Sequence, residues 1–468
     1  MRASIGSAGK AVARPWSCRG RGRHRPGRVA GLIGVAAGLA VTLAACTSAR
    51  PSGTAAAGGS QPTAPYGMSC AWPTELSAQA DNRAFPDAAE AYLLQPIVAS
   101  AGSRIVLSGR FPDARYVSVQ VYTPGGAGSS LPDYRIAPQP GSVNPWQQRA
   151  GPGGRFTVTI RPHPATGQAN TLPLPAGTTS RHPGYLAYRV YQPAGGAPSD
   201  VPVPVLTVDQ GGSARTLAAC RSHNAPVRFP AVSGSAASAG AGGSGAAASP
   251  PRQLEFFKPP QSTFNHGGLA SVDTSYVLAY LTRPPASDVV IVTARAPAFA
   301  PGSHPSPWPA RGEDVRYWSM CVGVLVRPFP VVANKLPGGG TDYGCRADEA
   351  TRLNAAGDYT YVIGGESQRA AISRVPGITF LPFSATHASR LYLLALRNVL
   401  VSLSFTRSPR NVTQASAQAP KVRMKAQCGT VRASAAANSA GSAAYPTWPP
   451  GNSVSGRLRS RASSRLTR

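Results

Sequence analysis

Acidic residues are scarce in this chain: 18 Asp and Glu stand against 47 Lys and Arg in 468 residues, a formal charge of +29. Such an excess resembles a nucleic-acid signal, but its placement argues against one. Eight basic residues (Arg2, Lys10, Arg14, Arg19, Arg21, Arg23, Arg25, Arg28) precede Cys46, and without them the charge is +21. Six arginines (Arg432, Arg457, Arg459, Arg461, Arg465, Arg468) follow Cys428 with no acid among them. The signatures of the common enzyme classes are also missing: no Gly-x-Ser-x-Gly elbow, no Walker loop, no Gly-x-Gly-x-x-Gly after a strand and no His-Glu-x-x-His. The seven histidines lie apart, mostly beside Pro, Gly or Ser. No two cysteines have Cys-x-x-Cys spacing and no histidine accompanies them in a ligand pattern, so neither a metal nor a cofactor is expected.

No apolar run is long enough for a comfortable membrane span. The longest candidate, Val29 to Ala45, has 17 residues with three glycines inside, at the lower limit for a hydrocarbon core about 30 Å thick. A basic stretch precedes it and Leu43-Ala44-Ala45-Cys46 closes it, the order of a secretory signal. The tetrad resembles the bacterial lipobox. That resemblance implies a diacylglyceryl group on Cys46, cleavage after residue 45 and anchoring on the outer face of the cytoplasmic membrane, because two acyl chains hold where one binds marginally. The leader is thus assigned to 1–45 and a Ser/Gly/Ala/Pro/Thr tether to 46–65.

Five cysteines remain once Cys18 and Cys46 are set aside. In an oxidising compartment Cys70 and Cys220 bracket the first half of the mature chain, and Cys321 and Cys345 suit a local bridge in the second. Cys428 is left over, and connectivity does not follow from sequence alone.

Fifty glycines and 47 prolines favour short strands and turns over long helices. Alternation supplies the strands. In Arg115–Tyr122, Val117, Val119 and Val121 point one way while Tyr116, Ser118, Gln120 and Tyr122 point the other, which predicts a strand with one buried face. RFTVTIR (155–161) and GYLAYRVY (184–191) repeat the pattern. The segment SGSAASAGAGGSGAAASP (233–250) splits the mature chain nearly in half, and the order of events recurs beyond it: GRFTVTI is answered by GDYTYVI, NTLPLP by ITFLPF, and GYLAYRVYQ by RLYLLALRN. The reading is all-β: two tandem jelly-roll-like β-sandwiches over 66–230 and 253–428, arising by internal duplication, with a linker at 231–252 and a disordered basic tail at 429–468.

Asp113-Ala114-Arg115-Tyr116, the run at 140–145, Asn170-Thr171-Leu172-Pro173 and Tyr188-Arg189-Val190-Tyr191 together resemble uncharacterised secreted lipoproteins of actinobacteria with tandem β-rich domains. More distantly they resemble a bacterial jelly-roll module of unknown function with an Arg-aromatic-aromatic-Ser strand and an Asn-Trp-Leu-Pro motif. Arg316-Tyr317-Trp318-Ser319 and Phe380-Leu381-Pro382 match the two motifs more closely. Thr171 replaces the aromatic in one copy, and Thr379-Phe380 replace Asn-Trp in the other. The resemblance implies a fold and carries no activity.

Two sets of residues are candidates for a ligand surface: Asp113, Arg115 and Tyr116, and their counterparts Asp314, Arg316, Tyr317 and Trp318. Exposed aromatics beside arginine stack on sugar rings or hold anions; the plainer alternative is an Asp–Arg pair with a packed ring at a sheet edge. A glycosidase would need two carboxylates across a cleft, and the candidates, Asp113 with Asp133 or Glu313 with Asp314, include sequence neighbours that face opposite ways on a strand. The expected function is a non-enzymatic binding or scaffold protein of the cell envelope; the alternative is an extracellular carbohydrate-active enzyme. Its partners would be the cytoplasmic membrane, through the lipid anchor, and anionic lipid or wall polymer; nucleic acid is not expected.

Overall fold

The computed structural model describes residues 70–100, 102–196, 201–227, 253–254, 256–259, 269–387, 389–406, 408 and 422–423. The leader with Cys46, the tether, the 231–252 linker, Cys428 and the 429–468 tail lie outside the described residues. All described residues fall within one compact unit.

The first half contains β1 (Thr74–Ser77), β2 (Glu90–Ile97), β3 (Ser103–Arg110), β4 (Ala114–Thr123), β5 (Gly126–Pro132), β6 (Arg155–Arg161), β7 (Thr171–Pro173), β8 (Gly184–Pro193), β9 (Val205–Gln210) and β10 (Ser213–Leu217). They form two five-stranded sheets, in the orders β1-β2-β8-β4-β5 and β10-β9-β3-β6-β7. The alternating residues meet between the sheets: Leu107 of β3, Val119 of β4, Val158 of β6, Leu186 of β8 and Leu206 of β9 are all fully buried in one cluster. Each contributes about 1.5–3 kcal/mol of transfer free energy.

The second half contains β11 (Gln253–Leu254), β12 (Thr274–Thr282), β13 (Val290–Arg295), β14 (Val315–Val324), β15 (Ala333–Lys335), β16 (Thr341–Tyr343), β17 (Cys345–Ala347), β18 (Asp358–Gly364), α1 (Glu366–Ser373), β19 (Ile378–Pro382), β20 (Leu391–Val401) and β21 (Val422–Arg423). Its main sheets run β12-β20-β14-β17 and β13-β18-β19, and Ala279, Met320, Tyr361 and Leu394 fill the space between them. Helix α1 is short and begins where the Gln368 side chain accepts the Gly365 amide, at 2.8 Å.

The two halves repeat one pairing scheme. β2-β8-β4-β5 matches β12-β20-β14-β17, and β3-β6-β7 matches β13-β18-β19. Register agrees as well: Tyr116 faces Tyr191 across the β4–β8 ladder as Tyr317 faces Val399 across β14–β20. The next residues, Gln192 and Leu400, both take positive φ, 43° and 47°. In each half a 3-10 turn, Asp133–Arg135 or Asp348–Ala350, places an aspartate that accepts an amide of the long central strand, from Val117 or from Trp318.

The Asn-Thr-Leu-Pro and Thr-Phe-Leu-Pro segments form β7 and β19, which pair in parallel with β6 and β18. Asn170 anchors this geometry at φ +50°, accepting the Ala137 amide at 2.7 Å and donating to the Ala137 and Thr157 carbonyls. Thr379 does part of the same work by accepting the Arg352 amide. The parallel pair departs from the antiparallel Greek keys of a jelly roll, a distinction that side-chain alternation does not encode.

The expectation of one buried face per central strand requires correction. Nine of the ten residues of β4 are buried, and so are all ten of β14. The faces expected to meet solvent are instead covered by the other half of the chain.

Leu107→Ala is expected to cost about 2–5 kcal/mol of unfolding free energy, measured by urea denaturation of the oxidised chain. A value within error of zero would mean that the sheets do not meet at Leu107.

Candidate functional site

The second faces of the central sheets hold the charged residues that the apolar cores exclude. Arg115 and Arg316 open β4 and β14, and each is only 2% exposed. They are joined reciprocally: Arg115 Nε donates to the Arg316 carbonyl at 2.9 Å, and Arg316 Nη1 donates to the Arg115 carbonyl at 3.3 Å. Residue i touching j while j touches i is the pattern of a two-fold interface. Here it lies within one chain.

Around this contact, aspartates of each half hold groups of the other. Arg115 Nη1 lies 2.9 Å from Asp348 Oδ1, and Nη2 donates to the Ala300 carbonyl. Tyr116 donates to Asp273 at 2.8 Å, and Tyr317 donates to Asp87 at 3.0 Å. Ser319 also donates to Asp87, at 2.5 Å. Arg397 Nη1 approaches Asp87 at 3.9 Å while its Nη2 donates to the Phe85 carbonyl. Phe85 packs where Gly323 leaves room, since a Cβ at 323 would lie 2.3 Å from its ring. Tyr116, Tyr191 and Tyr317 form a chain of rings with centroids 5.6 and 5.0 Å apart.

A second buried pair lies on β2 and β8. Arg189 Nε is 2.9 Å from Glu90 Oε1, but the approach is off the N–H axis and completes no hydrogen bond. Arg189 Nη1 donates to Gln120 at 3.0 Å, and its Cζ sits 4.4 Å from the Tyr92 ring centroid. Burial pushes the Glu90 carboxyl up to about 7 against the pull of Arg189, and the neighbouring Asp87 pushes the same way. Burial likewise pushes Asp133 up to about 7 against Arg316, and Asp348 up to about 6 against Arg115.

The structure therefore corrects the ligand-surface reading. Arg115, Tyr116, Arg316, Tyr317 and Trp318 are buried and form no exposed platform. Trp318 lies in the second apolar core, against Tyr359. The plainer Asp–Arg alternative also changes, because Arg115 pairs with Asp348 and not with Asp113. Asp113 meets His304 at 2.8 Å across the two halves, and Asp314 accepts the Ala298 amide. The residues that sequence reasoning missed, Asp87, Glu90, Arg189, Asp273 and Arg397, had one signal available. Arg189 in GYLAYRVY and Arg397 in LYLLALRN are single charges inside otherwise apolar strands, and a charge there needs a buried partner.

Cys70 is bonded to Cys220 and Cys321 to Cys345. These bridges point to an oxidising, extracytoplasmic environment. Among the described residues no helix is long and apolar enough to cross a membrane.

Two outcomes follow for the junction. Removing one partner of the Arg115–Asp348 pair leaves a buried charge, so Arg115→Ala and Asp348→Ala should each cost about 3–5 kcal/mol, with the double variant far short of their sum; additive losses in chemical denaturation would remove the pairing. Glu90, Asp133 and Asp348 all have raised folded-state values, so their contribution to stability is complete below about pH 4 and is lost as pH rises through 6 to 7. Melting temperature should accordingly fall between about pH 5 and 8, and Glu90→Gln should flatten that slope; a curve that rises over this range contradicts it.

No protein-family model matches the chain, and no curated protein matches it significantly in sequence. Its fold is similar to that of an uncharacterized protein from Burkholderia cenocepacia, at 12% identity over 76% of this chain and 81% of that one, with a TM-score of 0.41. It is also similar to a protein from Vibrio parahaemolyticus, at 10% identity over 72% and 88% of the respective chains, with a TM-score of 0.37.

Proposed function

We propose that this chain is a lipid-anchored, non-enzymatic binding or scaffold protein of the cell envelope, held on the outer face of the cytoplasmic membrane through Cys46. The observation that carries the reading is the junction. Two sandwiches joined through the buried pairs Arg115–Asp348 and Arg397–Asp87, each sandwich holding one disulfide, make a stiff body, and its first disulfide, at Cys70, lies 24 residues after Cys46 in the sequence. Stiffness suits presentation of a surface at a set distance from a membrane. The basic excess outside the leader favours anionic lipid or wall polymer as the surface it meets. The carboxylates most strongly perturbed toward neutral pH, Glu90 and Asp133, are fully buried at or beside the junction. Their burial supports a structural role over a glycosidase pair, whose carboxylates must reach a substrate. The repeated pairing and register support internal duplication as the origin of the two halves.

Intact-mass and peptide spectrometry of the protein taken from its native membrane tests this. Loss of residues 1–45 and a diacylglyceryl adduct on Cys46 are expected; an unmodified Cys46 on an uncleaved chain overturns the lipid anchor, and free thiols at Cys70, Cys220, Cys321 and Cys345 as well would overturn the location.

A further inference from the structure

We propose that in the reduced protein Asp87, Cys321 and Cys345 bind one thiophilic divalent cation such as Zn2+, so that the same three residues close the junction either beside a disulfide or around a metal ion. Cys321 of β14 and Cys345 of β17 are direct register partners. Their sulfurs and a carboxylate oxygen of Asp87 all lie within 4.8 Å of one another, and all three residues are buried. Two sulfurs and a carboxylate are a donor set that zinc accepts. The Pro86 carbonyl, 3.9 Å from Cys345 Sγ, places a further oxygen beside them.

The surroundings are built for a held carboxylate. Tyr317 and Ser319 donate to Asp87 at 3.0 and 2.5 Å, and the Ala89 amide donates at 3.1 Å. Tyr317, Ser319 and Cys321 alternate along β14, so one strand face presents both the groups that orient the carboxylate and a sulfur that would share the cation with it. Arg397 Nη1, 3.9 Å from Asp87, supplies the remaining charge. Two thiolates, one carboxylate, one divalent cation and one guanidinium sum to zero, as a buried site requires. The conversion balances with a dithiol reductant. It transfers two electrons and two protons to the bridge and becomes a disulfide itself, and the two thiols then release two protons as the cation binds.

The test uses the full chain with Cys18→Ser, Cys46→Ser and Cys428→Ser, in detergent, titrated anaerobically with Co2+ before and after reduction and then challenged with Zn2+. One equivalent of Co2+ with a sulfur-to-cobalt charge-transfer band, displaced by Zn2+, is expected in the reduced chain and none in the oxidised chain. Cys321→Ser and Cys345→Ser, which keep every Asp87 hydrogen bond, should abolish the band although Cys70 and Cys220 remain. Asp87→Asn should weaken binding by at least about tenfold. A band that survives either cysteine variant, equal uptake by the oxidised chain, or no band in the reduced chain overturns the proposal.

Discussion

Four guanidinium groups, those of Arg115, Arg189, Arg316 and Arg397, are taken out of water where the two halves of this chain meet. Each would cost several kcal/mol if left unpaired, and for two of them the compensating carboxylate lies across the junction. Arg115 is met by Asp348, and Arg397 by Asp87 and the Phe85 carbonyl. Apolar and aromatic burial supplies the attraction between the sheet faces. The charge pairs restrict it to one register, because a slip along either strand would leave several buried charges without partners at once.

The arrangement is not fully symmetric, and the asymmetry is physical. Arg115 is satisfied through Gln192 and Asp348, whereas the position equivalent to Gln192 in the second half is Leu400. Arg316 keeps Nε and Nη2 without a protein acceptor and rests its guanidinium 5.3 Å from the Trp308 ring centroid. Burial pushes Arg316 below its ordinary value, with Asp133 and Glu313 opposing that shift. The two halves thus share a scheme of strand pairing while differing in how well each buried cation is held.

Much of the fold was legible in the sequence. Period-two alternation marked β4, β6 and β8, the recurring segments marked their counterparts, and the cysteine order matched the two bridges that form. The site was read less well, because alternation reports that one face of a strand is apolar and is silent about what covers the other. Tyr116, Ser118, Gln120 and Tyr122 look like a solvent face by composition, yet they line a junction whose partners lie more than a hundred residues away. The grouping of Asp87 with Cys321 and Cys345 was hidden for the same reason, since it exists only where the loop before β2 meets β14 and β17 of the other half.

If the junction makes one cooperative body of the two sandwiches, they should not open separately. Hydrogen exchange followed by mass spectrometry on the oxidised full chain, in increasing sub-denaturing urea, tests this directly. The account predicts that amides of β4 and β8 lose protection at the same urea concentration as those of β14 and β20, with one shared opening free energy. Loss of protection in one sandwich while the other stays closed would contradict it.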